Sequence, residues 1–148
     1  MPAYSFKERF VPLILEQSKR QTIRSRRKYP PRVGQNAFLF YGMRTKNCKR
    51  LGQEPIKMVR SVRITETGIF IYCRTLDNIE LEVAKINPLN ISLPDGVTLI
   101  DTKDKFAWDD GFRVEGTTRE NPKGAFDLMI RFWNQTHSLP FVGDLICW

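Results

Sequence analysis

The chain has 148 residues, 41% hydrophobic and 27% charged, with a formal net charge of +8. That length argues for one domain spanning 1–148, able to bury a core without metal or disulfide support. No apolar run approaches the roughly 18 residues of a membrane span. The opening Met-Pro-Ala-Tyr-Ser-Phe-Lys-Glu lacks an apolar signal core, so neither secretion nor a membrane partner is expected.

Taken in chain order, Ser5-x-x-Glu8 has the form of a capping box. Phe6, Phe10, Leu13 and Ile14 recur at helical spacing, which predicts a short helix over about 8–17. Pro12 is tolerated only in a first turn, so the regular part is expected to begin near Val11. Residues 18–34 read as an irregular basic segment, with Pro30-Pro31 and Gly34 marking a loop. Residues 35–41 read as a strand, and Phe38 and Phe40 alternate along it, which assigns one of Phe40 and Tyr41 to the core. The polar, basic stretch Gly42 to Pro55 reads as a long loop.

Residues 56–74 carry a hairpin pattern, with apolar alternation on both sides of Glu66-Thr67-Gly68. A weaker strand is predicted over Ile79 to Ile86, and Pro88 to Gly96 reads as a loop. Asp101 to Asp110 suits a short helix capped by Asp101 or Thr102. Pro122 fits the first position of a second helix, whose apolar face is Ala125, Phe126, Met129, Ile130 and Trp133. Phe141 to Trp148 reads as a closing strand. Antiparallel strands with few helices favour an α+β fold. A small twisted barrel with helices over its ends would use these elements well.

Charge is unevenly placed. Residues 1–50 hold thirteen Lys or Arg against Glu8 and Glu16, while 51–148 hold eleven against fourteen acids. A basic half joined to a mildly acidic one gives a directed field suited to a polyanion. Lys19, Arg20, Arg24, Arg26, Arg27 and Lys28 lie within 17–28, where there is no acid, and Arg44 and Lys46 follow in the next polar stretch. Arginine offers a planar fork to phosphate, and lysine a point charge. Tyr29, Phe40 and Tyr41 are candidates to stack a base.

Lys19-x-x-Thr22 permits a second use of the same segment. A threonine hydroxyl attacks only after a base takes its proton. Lysine serves as that base only if burial or nearby cations lower its pKa. The structural alternative makes Lys19 a phosphate contact and has Thr22 close a turn. The acid in question is Asp110, in Ala107-Trp108-Asp109-Asp110-Gly111-Phe112. Two carboxylates before a glycine either end a helix or line a pocket beside Trp108, and both readings stay open.

The run Phe10-x-Pro12-Leu13-Ile14-Leu15-Glu16-Gln17-Ser18-Lys19-Arg20-Gln21-Thr22-Ile23-Arg24 resembles the signature of ASCH domains, in which a short helix runs into Gly-x-Lys-x-x-Thr. Arg32-Val33-Gly34 before an apolar strand, Ala107-x-x-Asp110-Gly111-Phe112, the aromatic helix and the closing strand are similar to later family elements. The resemblance implies a small PUA-like β-barrel with flanking helices and a cleft lined by the Lys-x-x-Thr turn. It also implies nucleic-acid binding, with RNA favoured over DNA.

Some members of the family are hydrolases. One branch acts on acetylcytidine with a lysine, a threonine and a distant acid, here Lys19, Thr22 and Asp110, and ribonuclease activity is attributed to others. A small nucleoside ligand is therefore a second possibility. Two departures stand out: Gln17 replaces the turn glycine, and Asp110 stands where the hydrolytic branch has glutamate. The extra basic stretch between Gly42 and Pro55 favours a polymer ligand. Cys48, Cys73 and Cys147 suit reduced thiols in a cytoplasmic protein, and the single histidine, His137, excludes a His-pair metal motif. No metal or other cofactor is expected.

Overall fold

The computed structural model describes residues 2–74, 80–86 and 102–148. Its strands are β1 (Ala3–Phe6), β2 (Gln21–Ser25), β3 (Asn36–Tyr41), β4 (Lys49–Pro55), β5 (Met58–Ile64), β6 (Ile69–Arg74), β7 (Glu80–Ile86) and β8 (Phe141–Cys147). Its helices are α1 (Val11–Leu15), α2 (Thr102–Asp109) and α3 (Ala125–Thr136), with a 3-10 turn at Glu8–Phe10 before α1. The fold is α+β. One sheet has the order β1-β3-β4 and the other β2-β8-β5-β6-β7, and among the described residues no strand ladder joins them.

The five-stranded sheet carries much of the core. Val62 and Ile64 of β5, Ile69 of β6 and Leu145 and Ile146 of β8 are buried. The turn between β5 and β6 closes where Thr65 N–H donates to Gly68 C=O at 2.9 Å, as the hairpin pattern predicts. α3 buries Ala125, Phe126, Met129 and Trp133, a face with the 3.6-residue period. Its N-cap is Gly124, so Pro122 lies ahead of the helix and not at its first position. No helix among the described residues is long and apolar enough to cross a membrane.

The N-terminal half departs from expectation at several places. Ser5 caps nothing: it lies in β1, and its Oγ accepts from Met43 N–H at 3.1 Å. Tyr4 and Phe6 are buried at strand period, so Phe6 belongs to a strand face and not to a helix. The helix expected over 8–17 is a 3-10 turn followed by five α-helical residues, with Pro12 in the first turn. The segment read as irregular contains β2, paired antiparallel with β8 from Gln21↔Cys147 to Ser25↔Gly143. The stretch read as a long loop contains β4, paired antiparallel with β3. On β3 the buried residues are Ala37 and Leu39, whereas Phe40 and Tyr41 are only half-buried. The stretch from Pro88 to Gly96 and the cap at Asp101 lie outside the described residues.

α1 ends in a Schellman motif. Ser18 N–H donates to Leu13 C=O at 2.9 Å and Gln17 N–H to Ile14 C=O at 3.1 Å. The pivot, Gln17, has φ 61°, in the left-handed region that favours glycine. A side chain there carries a steric cost that glycine avoids. Gln17→Gly is expected to raise stability by about 1 kcal/mol in urea unfolding. A loss would mean that the Arg20–Gln17 side-chain hydrogen bond, 2.8 Å long, outweighs the backbone strain.

Candidate functional site

α2 ends in the same motif as α1. Phe112 N–H donates to Ala107 C=O and Gly111 N–H to Trp108 C=O, both at 2.9 Å. Gly111 is the left-handed pivot, with φ 98°. A Cβ there would lie 2.8 Å from the Phe10 ring and 3.1 Å from Lys19 Cδ. Glycine therefore lets the end of α2 settle onto the end of α1. Two helix C-termini, both rich in unsatisfied carbonyls, are thereby brought together.

Lys19 joins them. Its Nζ donates to Asp110 Oδ1 at 3.1 Å and to the backbone carbonyl of Asp110. A cation at a helix C-terminus also meets the negative end of the helix dipole. The Nζ lies 4.9 Å from the Phe10 ring centroid. Lys19 is 2% exposed and Asp110 5%, so this ion pair is cut off from water. Asp110 thus both ends a helix and lines a cavity, whereas Asp109 turns away to a two-point contact with Arg119 at 2.9 and 3.1 Å. The aspartate side chain is long enough to reach the lysine.

Burial holds Lys19 below the ordinary lysine range. Asp110 opposes that shift, while Arg24 and Arg113 add to it. Burial likewise holds the Asp110 carboxyl above the ordinary range, against the pull of Lys19 and Arg24. Desolvation penalises whichever form is charged, so both groups are biased toward neutrality. Close by, burial pushes the Cys147 thiol up to about 11.

β2 supplies the third residue. Thr22 and Arg24 share a strand face, and Arg24 Nε donates to Thr22 Oγ1 at 3.1 Å. Thr22 is 4% exposed. Because its oxygen accepts from Arg24, its own proton points away from that guanidinium. Arg24 also donates to Ser5 C=O at 2.8 Å, and Arg27 donates to Ala3 C=O at 3.0 Å. These two arginines therefore tie β2 of one sheet to the carbonyl edge of β1 in the other.

Lys19, Thr22 and Asp110 line one cavity of about 480 Å³, together with Lys7, Arg24, Arg26 and Arg27. Its aromatic wall includes Phe6, Phe10, Phe112, Phe132 and Trp133. Phe10, Phe112 and Phe132 pack mutually, with centroids 5.2 to 6.1 Å apart. Lys7 Nζ sits 4.8 Å from the Phe132 centroid.

Other predicted cations lie elsewhere. Arg20 bonds to Gln17 beside α1, and Lys28, Arg44 and Lys46 are exposed and do not line the cavity. Arg26 lines it but is committed to structure: its Nε lies 3.6 Å from the buried Asp144 carboxylate, and it also bonds Ser61 Oγ. Tyr29, Phe40 and Tyr41 do not line the cavity, so any stacking surface in it comes from other aromatics. Phe6 and Phe10 carried a usable signal, since they flank the basic segment. Phe132 gave none, because it lies off the predicted apolar face of α3. Among the described residues no cluster of three or more His, Cys, Asp or Glu could hold a metal.

Comparison with family models, with curated proteins and with solved structures finds no match to this chain.

The buried pair has a measurable signature. Lys19→Met and Asp110→Leu each strand an uncompensated charge or force its neutralisation, and each is expected to cost about 3–5 kcal/mol. The double variant removes both charges and is expected to lose clearly less than the sum. Additive losses in urea unfolding would contradict the coupling.

Proposed function

We propose that this chain binds nucleic acid, RNA in preference to DNA, through the cavity between β2 and α3. The observation that carries the reading is the composition of that one cavity: an aromatic wall faced by Lys7, Lys19, Arg24, Arg26 and Arg27, with Asp110 as its acid. A volume of about 480 Å³ suits a small organic group such as one nucleotide unit. Aromatic rings offer stacking to any base, and guanidinium and ammonium groups offer phosphate contacts.

Arg24 bears most on the phosphate. It is half-buried, and although Asp110 acts on it electrostatically, among the described residues no carboxylate lies within ion-pair distance of it. Its partners are the neutral Thr22 hydroxyl and Ser5 carbonyl. A half-buried cation with neutral hydrogen-bond partners favours a bound anion. The exposed Lys28, Arg44 and Lys46 would extend the field along a polymer. The preference for RNA, and the assignment of the two sheets as halves of a PUA-like barrel, rest on the resemblance to ASCH domains.

If about four to six phosphates are contacted, log affinity for a single strand is expected to fall with log salt at a slope of about −3 to −4. Fluorescence anisotropy with single-stranded RNA, duplex RNA and DNA across a salt series measures it. Arg24→Ala is expected to flatten the slope by close to one contact. Absence of binding at low salt, or an unchanged slope in Arg24→Ala, would overturn the reading. Arg26→Ala is the poorer probe, because it also strips a partner from buried Asp144.

The convergence of Lys19, Thr22 and Asp110, the last 91 residues from Lys19, favours a second reading as a hydrolase of an N-acylated cytidine or of RNA. In the first case Thr22 Oγ attacks the acyl carbon and neutral Lys19 takes the hydroxyl proton. The C–N bond then breaks, the amine leaves carrying that proton, and water releases the acyl group from Thr22. Asp110 fixes the amine, and burial supplies the lowered lysine pKa the step needs. Turnover of acetylcytidine that falls at least about 100-fold in both Lys19→Ala and Thr22→Ala is the expected outcome. An inactive wild-type protein, or activity indifferent to either change, removes this reading.

A further inference from the structure

His137 is the only histidine in the chain, and its ring lines the mouth of the cavity beside Thr136, Phe132 and Lys7. Its neighbours define its hydrogen bonding. Thr136 Oγ1 donates to Phe132 C=O at 2.8 Å, the usual bond of a helical threonine to the preceding turn. That bond uses the hydroxyl's one proton. The same oxygen lies 2.9 Å from His137 Nδ1, and with its proton on Phe132 C=O it accepts there from an Nδ1–H. A neutral ring with Nδ1–H leaves Nε2 bare. The ring is steadied by Trp133 and Phe141, with centroids 4.6 and 5.2 Å away.

The rest of the cavity makes a bare nitrogen significant. Lys7, Arg24, Arg26 and Arg27 are donors only. Of the acceptors deeper in the cavity, the Thr22 oxygen accepts from Arg24 and Asp110 Oδ1 from Lys19, which leaves Asp110 Oδ2 and the Ser25 hydroxyl. The wall is rich in donors, which suits phosphate, but a base and a ribose also carry donors of their own.

We propose that His137 Nε2 is the acceptor at the cavity mouth that takes a hydrogen-bond donor of the bound nucleotide, a base exocyclic amine or a ribose hydroxyl. This rests on the nucleic-acid reading above and adds to it a determinant of which nucleotide is held. His137 is exposed, and the partial desolvation of its ring and Lys7 both hold the imidazole below its ordinary pKa, which favours the acceptor form. Lys7 is the charged group set against the ring, Trp133 and Phe141 are neutral, and the remaining cavity charges belong to Lys19, Arg24, Arg26, Arg27 and Asp110.

Because the histidine is unique, selective 15N-histidine labelling reports on it alone. Long-range 1H–15N spectra of the free protein are expected to show the Nδ1–H tautomer. Saturating single-stranded RNA is expected to shift Nε2 and leave Nδ1 little changed. His137→Phe keeps the ring packing and is expected to weaken RNA binding about two- to tenfold. His137→Gln, which can offer an oxygen near the Nε2 position, is expected to recover part of that loss. Comparing cytidine-rich with uridine-rich strands, and each with its deoxy form, separates an amine donor from a ribose hydroxyl, and either result supports the proposal. The Nε2–H tautomer in the free protein, or wild-type affinity in His137→Phe, overturns it while leaving the nucleic-acid reading intact. Failure of the wild-type protein to bind any strand overturns that reading, and the proposal with it.

Discussion

A lysine with 2% of its surface exposed must be given its hydrogen bonds by the protein, and among the described residues Lys19 finds them on one, Asp110. Asp110 offers both its carboxylate and its backbone carbonyl. The carbonyl is available because Asp110 is the last residue before the left-handed pivot of α2, where helix carbonyls lack partners. The amine is at hand because α1 turns at Gln17, two residues before Lys19. The ends of two helices, far apart in sequence, are thus coupled through one side chain. Removing either partner strands the other, which makes the pair a constraint on fold and chemistry together.

The arginines of the basic segment are held in place by the fold. Arg24 and Arg27 reach alternate carbonyls on the β1 edge, and Arg26 neutralises buried Asp144. Guanidinium groups therefore bridge two sheets that no ladder joins among the described residues. The same groups line the cavity. An anion entering it would meet donors already fixed in place by the fold, which lowers the ordering cost of binding. Within the five-stranded sheet, Gly143 lets β8 approach β2, since a Cβ there would lie 2.3 Å from the Arg24 carbonyl oxygen.

How legible the molecule is in its sequence depends on where each element's polar face points. The β5–β6 hairpin, β8 and α3 bury apolar residues against other apolar residues, and ordinary periodicity finds them. β2 escapes because Thr22 and Arg24 occupy the face that would otherwise be apolar, and that face meets the cavity. A strand that lines a polar site breaks the alternation by which strands are recognised. β4 escapes for a different reason: it is an edge strand, and of Lys-Arg-Leu-Gly-Gln-Glu-Pro only Leu51 packs on the core. The candidate residues Lys19, Thr22 and Asp110 were legible as chemistry. Their meeting was not, because it depends on two helix ends and on Gly111. The imidazole of His137 was legible only as the absence of a metal motif, and its place at the cavity mouth follows from the register of α3.

The central claim is that the buried Lys19–Asp110 pair, Thr22 and Arg24 form the floor of a site that holds a nucleotide against the aromatic wall. A crystal structure with a short single-stranded RNA tests it most directly. The account predicts one nucleotide inside the cavity, its phosphate on Arg24 and its base against Phe132 or Phe112. RNA bound only along Lys28, Arg44 and Lys46, with the cavity unfilled, would contradict it.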